Sequence, residues 1–349
     1  MTDQPWDVII AGQGLAGTTL AWHLVEAGQR VLLVDAEEAV TSSKIAAGLI
    51  TPITGLRMAL SWRVDELLPV AQAFYTRIEA LTGETFFAAR RAVRLFKSDA
   101  DRAAWSKRST QPDFQHYVPE PQPLPLLDPS VADTSFGGFE MRAAQLDVGR
   151  YLEVSRKHLA YAPMRIDWLR DVTFAADRIC VQGHTAKRLI SCEGYAAKQN
   201  PHFSWVPFNA AKGDILTVRF DRPLPPVSLH RGAWLAPTAE PDVFRAGSTY
   251  DVQSLDTVPG AAARAEIESK LAGFLRLPYT VIKHEAAVRP VIRESQPIAG
   301  LHPQLRGLGY FNGLGSKGSL LAPWAAHCFA QHLVDGIALP DSIDLMKFV

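Results

Sequence analysis

The sequence has little of what usually gives a protein's chemistry away. It contains three cysteines in 349 residues, Cys180, Cys192 and Cys328. They lie far apart and form no CxxC pair, so neither a zinc site nor a disulfide framework is indicated, and buried free thiols are expected. Charge of neither sign is in excess, with 36 Lys+Arg against 36 Asp+Glu. A neutral chain has no overall basic field to gather nucleic acid or anionic lipid, and no nucleic-acid partner is expected. No apolar run approaches the about 18 residues of a membrane span. The N-terminus, MTDQPWDVII, lacks the basic and long apolar regions of a secretory signal, and the C-terminal DLMKFV carries no peroxisomal address. Cytoplasm is the default expectation. HExxH, an EF-hand loop and a His-Asp-Ser arrangement are all missing, which removes the commonest hydrolytic and metal chemistries. The histidines are scattered, and His23 and His327 on expected helices read as packing residues.

What remains is the composition of an ordinary globular enzyme, 47% hydrophobic and 21% charged, long enough for two domains. Asp7–Ala11 is a short apolar run ending at glycine, the pattern of a buried parallel strand. A helical stripe follows from Leu15 to Ala27, with Gly28 as its C-cap, and then a second buried strand, Val31–Val34, ends at Asp35. Helices are expected over Trp62–Thr82, Asp147–Leu159, Ala261–Leu275 and Ser319–Leu333, and strands over Lys187–Cys192, Ile215–Phe220 and Phe244–Thr249. A proline-rich stretch from Pro119 to Pro125 reads as a surface connection.

Gly12-Gln-Gly14-Leu15-Ala16-Gly17 is a GxGxxG turn between strand and helix, with an acidic residue, Asp35, 18 positions beyond Gly17 at a strand end. That context is what dinucleotide binding requires. Gly12 permits the turn, Gly14 lets the backbone approach a pyrophosphate, and Gly17 lets helix and strand pack closely. The helix N-terminus offers unpaired N–H groups to phosphate, and Asp35 can accept from ribose hydroxyls. The turn alone does not separate FAD from NAD.

Further along, the chain resembles the D-amino-acid oxidase/glycine oxidase superfamily of flavoproteins. The GxGxxG unit carries part of the resemblance. Ser42-Ser43-Lys44-Ile45-Ala46-Ala47-Gly48 is similar to the small-residue loop that crosses the pyrophosphate and flavin in that family. Val288-Arg289-Pro290, followed by Gln296-Pro-Ile-Ala-Gly300, is similar to its R-P…P-hydrophobic-G stretch, whose arginine binds the substrate carboxylate. Gly313-Leu-Gly315-Ser316-Lys317-Gly318 opens the last helix, where the family's backbone N–H groups meet the flavin pyrimidine edge. Lys212-Gly213, Ala246-Gly-Ser-Thr249 and Ser191-Cys-Glu-Gly194 match more weakly. The order holds from end to end.

The resemblance implies an α/β fold, α+β overall. A Rossmann-type FAD-binding domain is expected over 1–80, 140–200 and 285–349, and an inserted antiparallel-sheet substrate domain over 81–139 and 201–284. It implies an FAD-dependent oxidase acting on the C–N bond of a small amino acid or secondary amine by hydride transfer to flavin N5. Oxygen would be the acceptor and hydrogen peroxide a product. The alternatives are a dehydrogenase serving a quinone or carrier, a tRNA-modifying-type oxidase, and a flavin-binding redox protein without turnover. No cysteine near Arg289 suits a flavin tether, so noncovalent FAD is expected. Gly194 belongs with the expected cofactor-binding residues. Arg289 is the expected substrate anchor, because its planar fork donates two parallel hydrogen bonds to a carboxylate and the following proline restrains it. Tyr250 and Lys317 join it as candidate catalytic residues, the latter also against the cofactor; His230 and Trp234 are further pocket candidates, and Arg57 is a second cation. Which amine, which enantiomer and what oligomeric state stay open.

Overall fold

The computed structural model of the protein describes residues 5–55, 57–119 and 127–349. The expected proline-rich connection lies outside these residues except for Pro119.

Two mixed α/β layers are built on two eight-stranded sheets. The first runs Ile298–Leu301, Leu308–Asn312, His184–Ser191, Trp6–Ala11, Val31–Asp35 and Tyr161–Pro163, with Val172–Phe174 and Ile179–Val181 attached off its path. Trp6–Ala11 pairs in parallel with both Val31–Asp35 and His184–Ser191. Parallel strands buried on both faces need apolar side chains all along, and Val8, Ile9, Ile10 and Leu33 are each at most 1% exposed. The helices Leu15–Glu26, Val64–Thr82, Val148–His158 and Gly318–Asp335 cover one face, in a core holding Leu20, Phe74, Tyr75, Tyr151 and Phe329. Leu32, Val34, Leu189 and Phe203 fill the other face.

The second sheet runs Thr280–Arg289, Ala211–Arg219, Val243–Gly247, Ala233–Pro237, Val227–Arg231, Phe87–Leu95, Gly138–Leu146 and Leu49–Ile50. It is antiparallel apart from Val227–Arg231, which pairs in parallel with Phe87–Leu95. The helix Ala261–Ala272 packs on its outer face through Ile267 and Leu271.

Several elements differ from expectation. The helix expected from Trp62 begins at Val64, because Arg63 takes a left-handed conformation (φ 47°) at its N-cap. The helix expected to reach Leu275 ends at Ala272. Gly138–Leu146 and Thr280–Arg289 are continuous strands of the second sheet, so the expected boundaries at 140 and 284/285 cut through elements. Leu49–Ile50, expected with the cofactor domain, also pairs into the second sheet. Pairing partners distant in sequence decide these assignments, and local hydrophobic pattern does not report them.

Candidate active site

A cavity of about 1200 Å³ runs between the two sheets. Its first end lies over the carboxyl ends of the parallel strands, where open α/β sheets place ligands. Gly12, Gly14, Leu15, Ala16 and Asp35 line it there. Gly17 sits behind, where a Cβ would lie 1.9 Å from the Gly12 carbonyl oxygen. The two Asp35 carboxylate oxygens accept from the backbone N–H groups of Gln13 and Glu37, both at 2.7 Å. The 41–48 loop crosses this end, and the Leu15 N–H donates to Ser43 Oγ at 3.1 Å, so the serine meets the first turn of the glycine-loop helix. Lys44 is turned away from this contact, its ammonium donating to the Glu38 carbonyl. Ser42, Ser43, Lys44, Ala46, Ala47, Gly48 and Gly194 border the cavity together with Gly315, Ser316 and Gly318. Gly313 does not; the turn at this residue is braced by Asn312, whose Oδ1 accepts the Gly313 N–H and whose Nδ2 donates to Gly194 O at 2.7 Å.

Three residues that the sequence reading missed shape this end. Gln13, the middle residue of the first G-x-G, is buried; it donates to Leu152 O at 2.7 Å and accepts from Arg156. Glu193 follows the strand His184–Ser191 and accepts from Ser191 Oγ at 2.8 Å and Trp168 Nε1 at 3.1 Å. Burial pushes its carboxyl above the ordinary 4.5, hydrogen bonds from Ser191 and Trp168 pull it down, and nearby Asp35 adds to the rise. Trp168 completes the wall beside it. A glutamate in a Ser-Cys-Glu-Gly turn carries no periodic signal; only the fold shows that it faces the cavity.

The second end lies against the second sheet, where Gly213, Ile215, Trp234, Ser248 and Arg289 line the cavity. Arg289 ends its strand and leans across the neighbouring one. Its Nη2 donates to Ser248 Oγ at 2.8 Å and to Thr249 O at 3.1 Å, and its Nη1 to Lys212 O at 3.2 Å. A Cβ on Gly213 would lie 1.9 Å from that Nη2, so only glycine leaves room for the guanidinium here. All three acceptors are neutral, and Arg289 forms no ion pair among the described residues. Burial lowers its pKa from the ordinary value, while Tyr250 and Asp214 act in the opposite direction. Asp214 is 1% exposed and sits one layer behind, accepting from Thr249 Oγ1, the Gly260 N–H and His284 Nε2. The covering segment after Ser248 contributes Leu255, Asp256 and Thr257 to the wall. Buried Lys212 holds it down by donating to Asp256 Oδ1 at 2.6 Å and Val258 O at 2.5 Å.

The other candidates fall at varying distances from this centre. Tyr250 is 63% exposed and does not border the cavity, although its ring centroid lies 5.8 Å from the Arg289 guanidinium carbon. Trp234 lies over Gly247 and packs with Ile45, Ile215 and Ala287. His230 is paired opposite Trp234, and its buried Nε2 has no hydrogen-bond partner among the described residues. Burial lowers its pKa to about 4, and Arg94 adds to the effect. Lys317 does not border the cavity; its half-buried ammonium lies 3.4 Å from Ser61 Oγ, and burial lowers its pKa. Arg57 is exposed and outside the cavity wall. No group of three or more His, Cys, Asp or Glu side chains among the described residues is arranged to hold a metal, and no described helix is long and apolar enough to cross a membrane.

A family model described as FAD dependent oxidoreductase matches residues 7–332. The tRNA 5-methylaminomethyl-2-thiouridine biosynthesis bifunctional protein of Caulobacter vibrioides is 25% identical over 357 residues, covering 96% of this chain. The chain spans only 56% of that relative's length. Glycine oxidase of Pseudomonas aeruginosa is 24% identical over 353 residues, covering 93% of each chain. Among solved structures, glycine oxidase from Geobacillus kaustophilus superposes with a TM-score of 0.76 at 18% identity, covering 99% of this chain and 98% of its own.

Proposed function

The chain belongs to the FAD-dependent oxidoreductase family, and from that premise we propose that it oxidises the C–N bond of a small amino acid or secondary amine. FAD is its cofactor. The residues present fit that group: a glycine turn at a helix N-terminus for the pyrophosphate, Asp35 for the ribose, and a cavity of about 1200 Å³ continuous from there to Arg289. We assign Gly12, Gly14, Leu15, Ala16, the 42–48 loop, Gly315, Ser316 and Gly318 to holding it noncovalently, with Gly313 shaping the turn behind them.

One observation carries the substrate reading. Arg289 places a half-buried guanidinium on the cavity wall with only neutral acceptors around it. A cation taken out of water in this way is stabilised by a paired anion, and the fork suits a carboxylate bidentately. FAD, when bound, supplies the acceptor for the hydride lost from the carbon beside the amine. The protein's part is to bind the carboxylate, fix the direction of that C–H bond, and keep water away with Trp234 and Ile215. A neutral amine loses a hydride and then a proton to give an imine, and hydrolysis of the imine releases carbonyl product and ammonia or a primary amine. Oxygen is the proposed final acceptor, reduced by the same two electrons and two protons to hydrogen peroxide.

A second reading is favoured by the 25% identity to the tRNA-modifying bifunctional protein over 96% of this chain. In it, the secondary amine is carried on a modified uridine of tRNA. The deciding experiment is anaerobic mixing of the yellow protein with D- and L-amino acids, N-methyl amino acids, simple amines and an aminomethyl-uridine nucleoside. Bleaching by a carboxylate-bearing amine with recovery in air supports the proposal. Bleaching by the nucleoside alone selects the second reading, bleaching without recovery in air selects a dehydrogenase, and no bleaching by any of them refutes turnover of amines.

A further inference from the structure

The loop that crosses the cavity is tied down from outside in an unusual way. Four consecutive carbonyl groups, those of residues 45 to 48, are all bonded to the second sheet. Arg245, from the strand Val243–Gly247, donates through Nη1 to Ile45 O at 2.7 Å and Ala46 O at 3.0 Å. Gln145, from Gly138–Leu146, donates through Nε2 to Ala47 O at 3.0 Å and to Pro237 O at 2.9 Å. The Leu146 N–H donates to Gly48 O at 3.0 Å. Gln145 is itself held, its Oε1 accepting from Arg90 Nε at 3.3 Å.

In a trans peptide the C=O and the following N–H point in opposite directions within one plane. Fixing the carbonyls of Ala46 and Ala47 on the sheet side therefore turns the N–H groups of Ala47 and Gly48 to the other side. Both residues border the cavity, and neither N–H has a protein acceptor among the described residues. Gly48 allows the close approach: its φ is +67°, and a Cβ there would lie 1.7 Å from Leu146 O. The cation adds to the orientation. Arg245 makes no ion pair among the described residues, so its charge is directed at two loop peptides; the Ala46 N–H of the first donates to Ser43 O at 3.3 Å, and the Ala47 N–H of the second has no protein acceptor among the described residues.

We infer that Arg245 and Gln145 are positioning residues for the cofactor: acting through the 45–48 peptides, they hold the Ala47 and Gly48 N–H groups out as a pair of donors that tune the electron affinity of the bound flavin. This rests on the reading that the 42–48 loop contacts FAD, and it does not depend on which amine is oxidised. Donors at the acceptor edge of the ring stabilise the negative charge that arrives with electrons. Releasing them makes the ring harder to reduce, while Asp35 and the glycine turn, assigned to the adenosine half, make no hydrogen bond to Arg245 or Gln145 among the described residues.

The test uses purified holoprotein and sulfite, a nucleophile whose reversible addition to oxidised flavin bleaches the visible band and reports electron affinity. Arg245→Met and Gln145→Met are each expected to keep FAD, to bind sulfite about tenfold more weakly, the equivalent of one net hydrogen bond, and to show a more negative midpoint potential. Arg245→Lys, which keeps a donor and the charge, should recover part of the loss. Should Arg245→Met shed its flavin, the titration on Arg245→Lys and Gln145→Met decides. Parental sulfite affinity and potential in FAD-loaded Gln145→Met and in either Arg245 variant would overturn the inference. Failure of every amine to reduce the flavin would refute the proposed function while leaving the sulfite result standing.

Discussion

Replacing Arg289 with methionine keeps an unbranched apolar stem and removes the charge and its fork. Three neutral acceptors, Ser248 Oγ, Thr249 O and Lys212 O, lose their donor, and a substrate carboxylate entering the cavity finds no cation. Removing one partner of a buried charged pair costs about 2–5 kcal/mol. At about 1.4 kcal/mol per factor of ten, kcat/KM for carboxylate-bearing amines is expected to fall about 30- to 5,000-fold. Arg289→Lys keeps the charge without the fork and should lie between. FAD content should stay near parental, because every polar contact of Arg289 is to the second sheet or the segment that follows it. Any amine substrate lacking a carboxylate should be turned over almost as before. Gly213→Ala reaches the same group from the other side, since its Cβ would fall 1.9 Å from Nη2 and push the guanidinium off its acceptors. It should reproduce the loss on carboxylate substrates without touching Arg289. The assay is steady-state oxidation with and without a substrate carboxylate, alongside the flavin absorbance ratio. Parental kcat/KM for amino acids in Arg289→Met would refute the anchor.

Asp35→Ala is expected to weaken FAD binding by about 1.5–3 kcal/mol, with turnover recovering at saturating FAD; unchanged affinity in a reconstitution titration would remove its role at the ribose. Lys317→Met tests whether a half-buried ammonium beside Ser61 reaches the flavin electrostatically; a lower flavin potential or slower reoxidation in air is expected, and if neither changes the lysine only packs. Glu193 has a folded pKa raised above 4.5 by burial, so the folded state holds more protons than the unfolded one just above that pH. Its stabilising contribution is present below 4.5 and lost as pH rises through the raised value. Glu193→Gln should flatten that fall in apoprotein thermal melts between weakly acidic and neutral pH, and identical pH profiles would show that Glu193 does not titrate there.

The cofactor half of the molecule was legible in sequence because its physics is local. A strand, a glycine turn, a helix and an acidic strand end occupy the first 35 residues, and each feature has a signature within a few positions. Arg289 could be nominated by its likeness to a family motif, but its lack of an anionic partner among the described residues is a property of the packed sheet. Gln13, Gln145, Arg245 and Glu193 were invisible for a common reason: each acts across 92 or more residues of chain or through the fold's turn into the cavity. The breaks expected at 140 and 284/285 fell inside strands because burial alternation marks a strand without marking its sheet.

The cavity's two ends hang from different sheets, and this has an evolutionary consequence. Asp35 and the glycine turn are fastened to parallel strands whose side chains are sealed on both faces, where almost any substitution disturbs a core. Gly213, Trp234, Ser248 and Arg289 stand on an antiparallel sheet with its own separate core. Mutations that remodel the second group can leave the first untouched. A lineage built on this plan can therefore explore new substrates by drift in one sheet while the ancestral dinucleotide grip persists in the other.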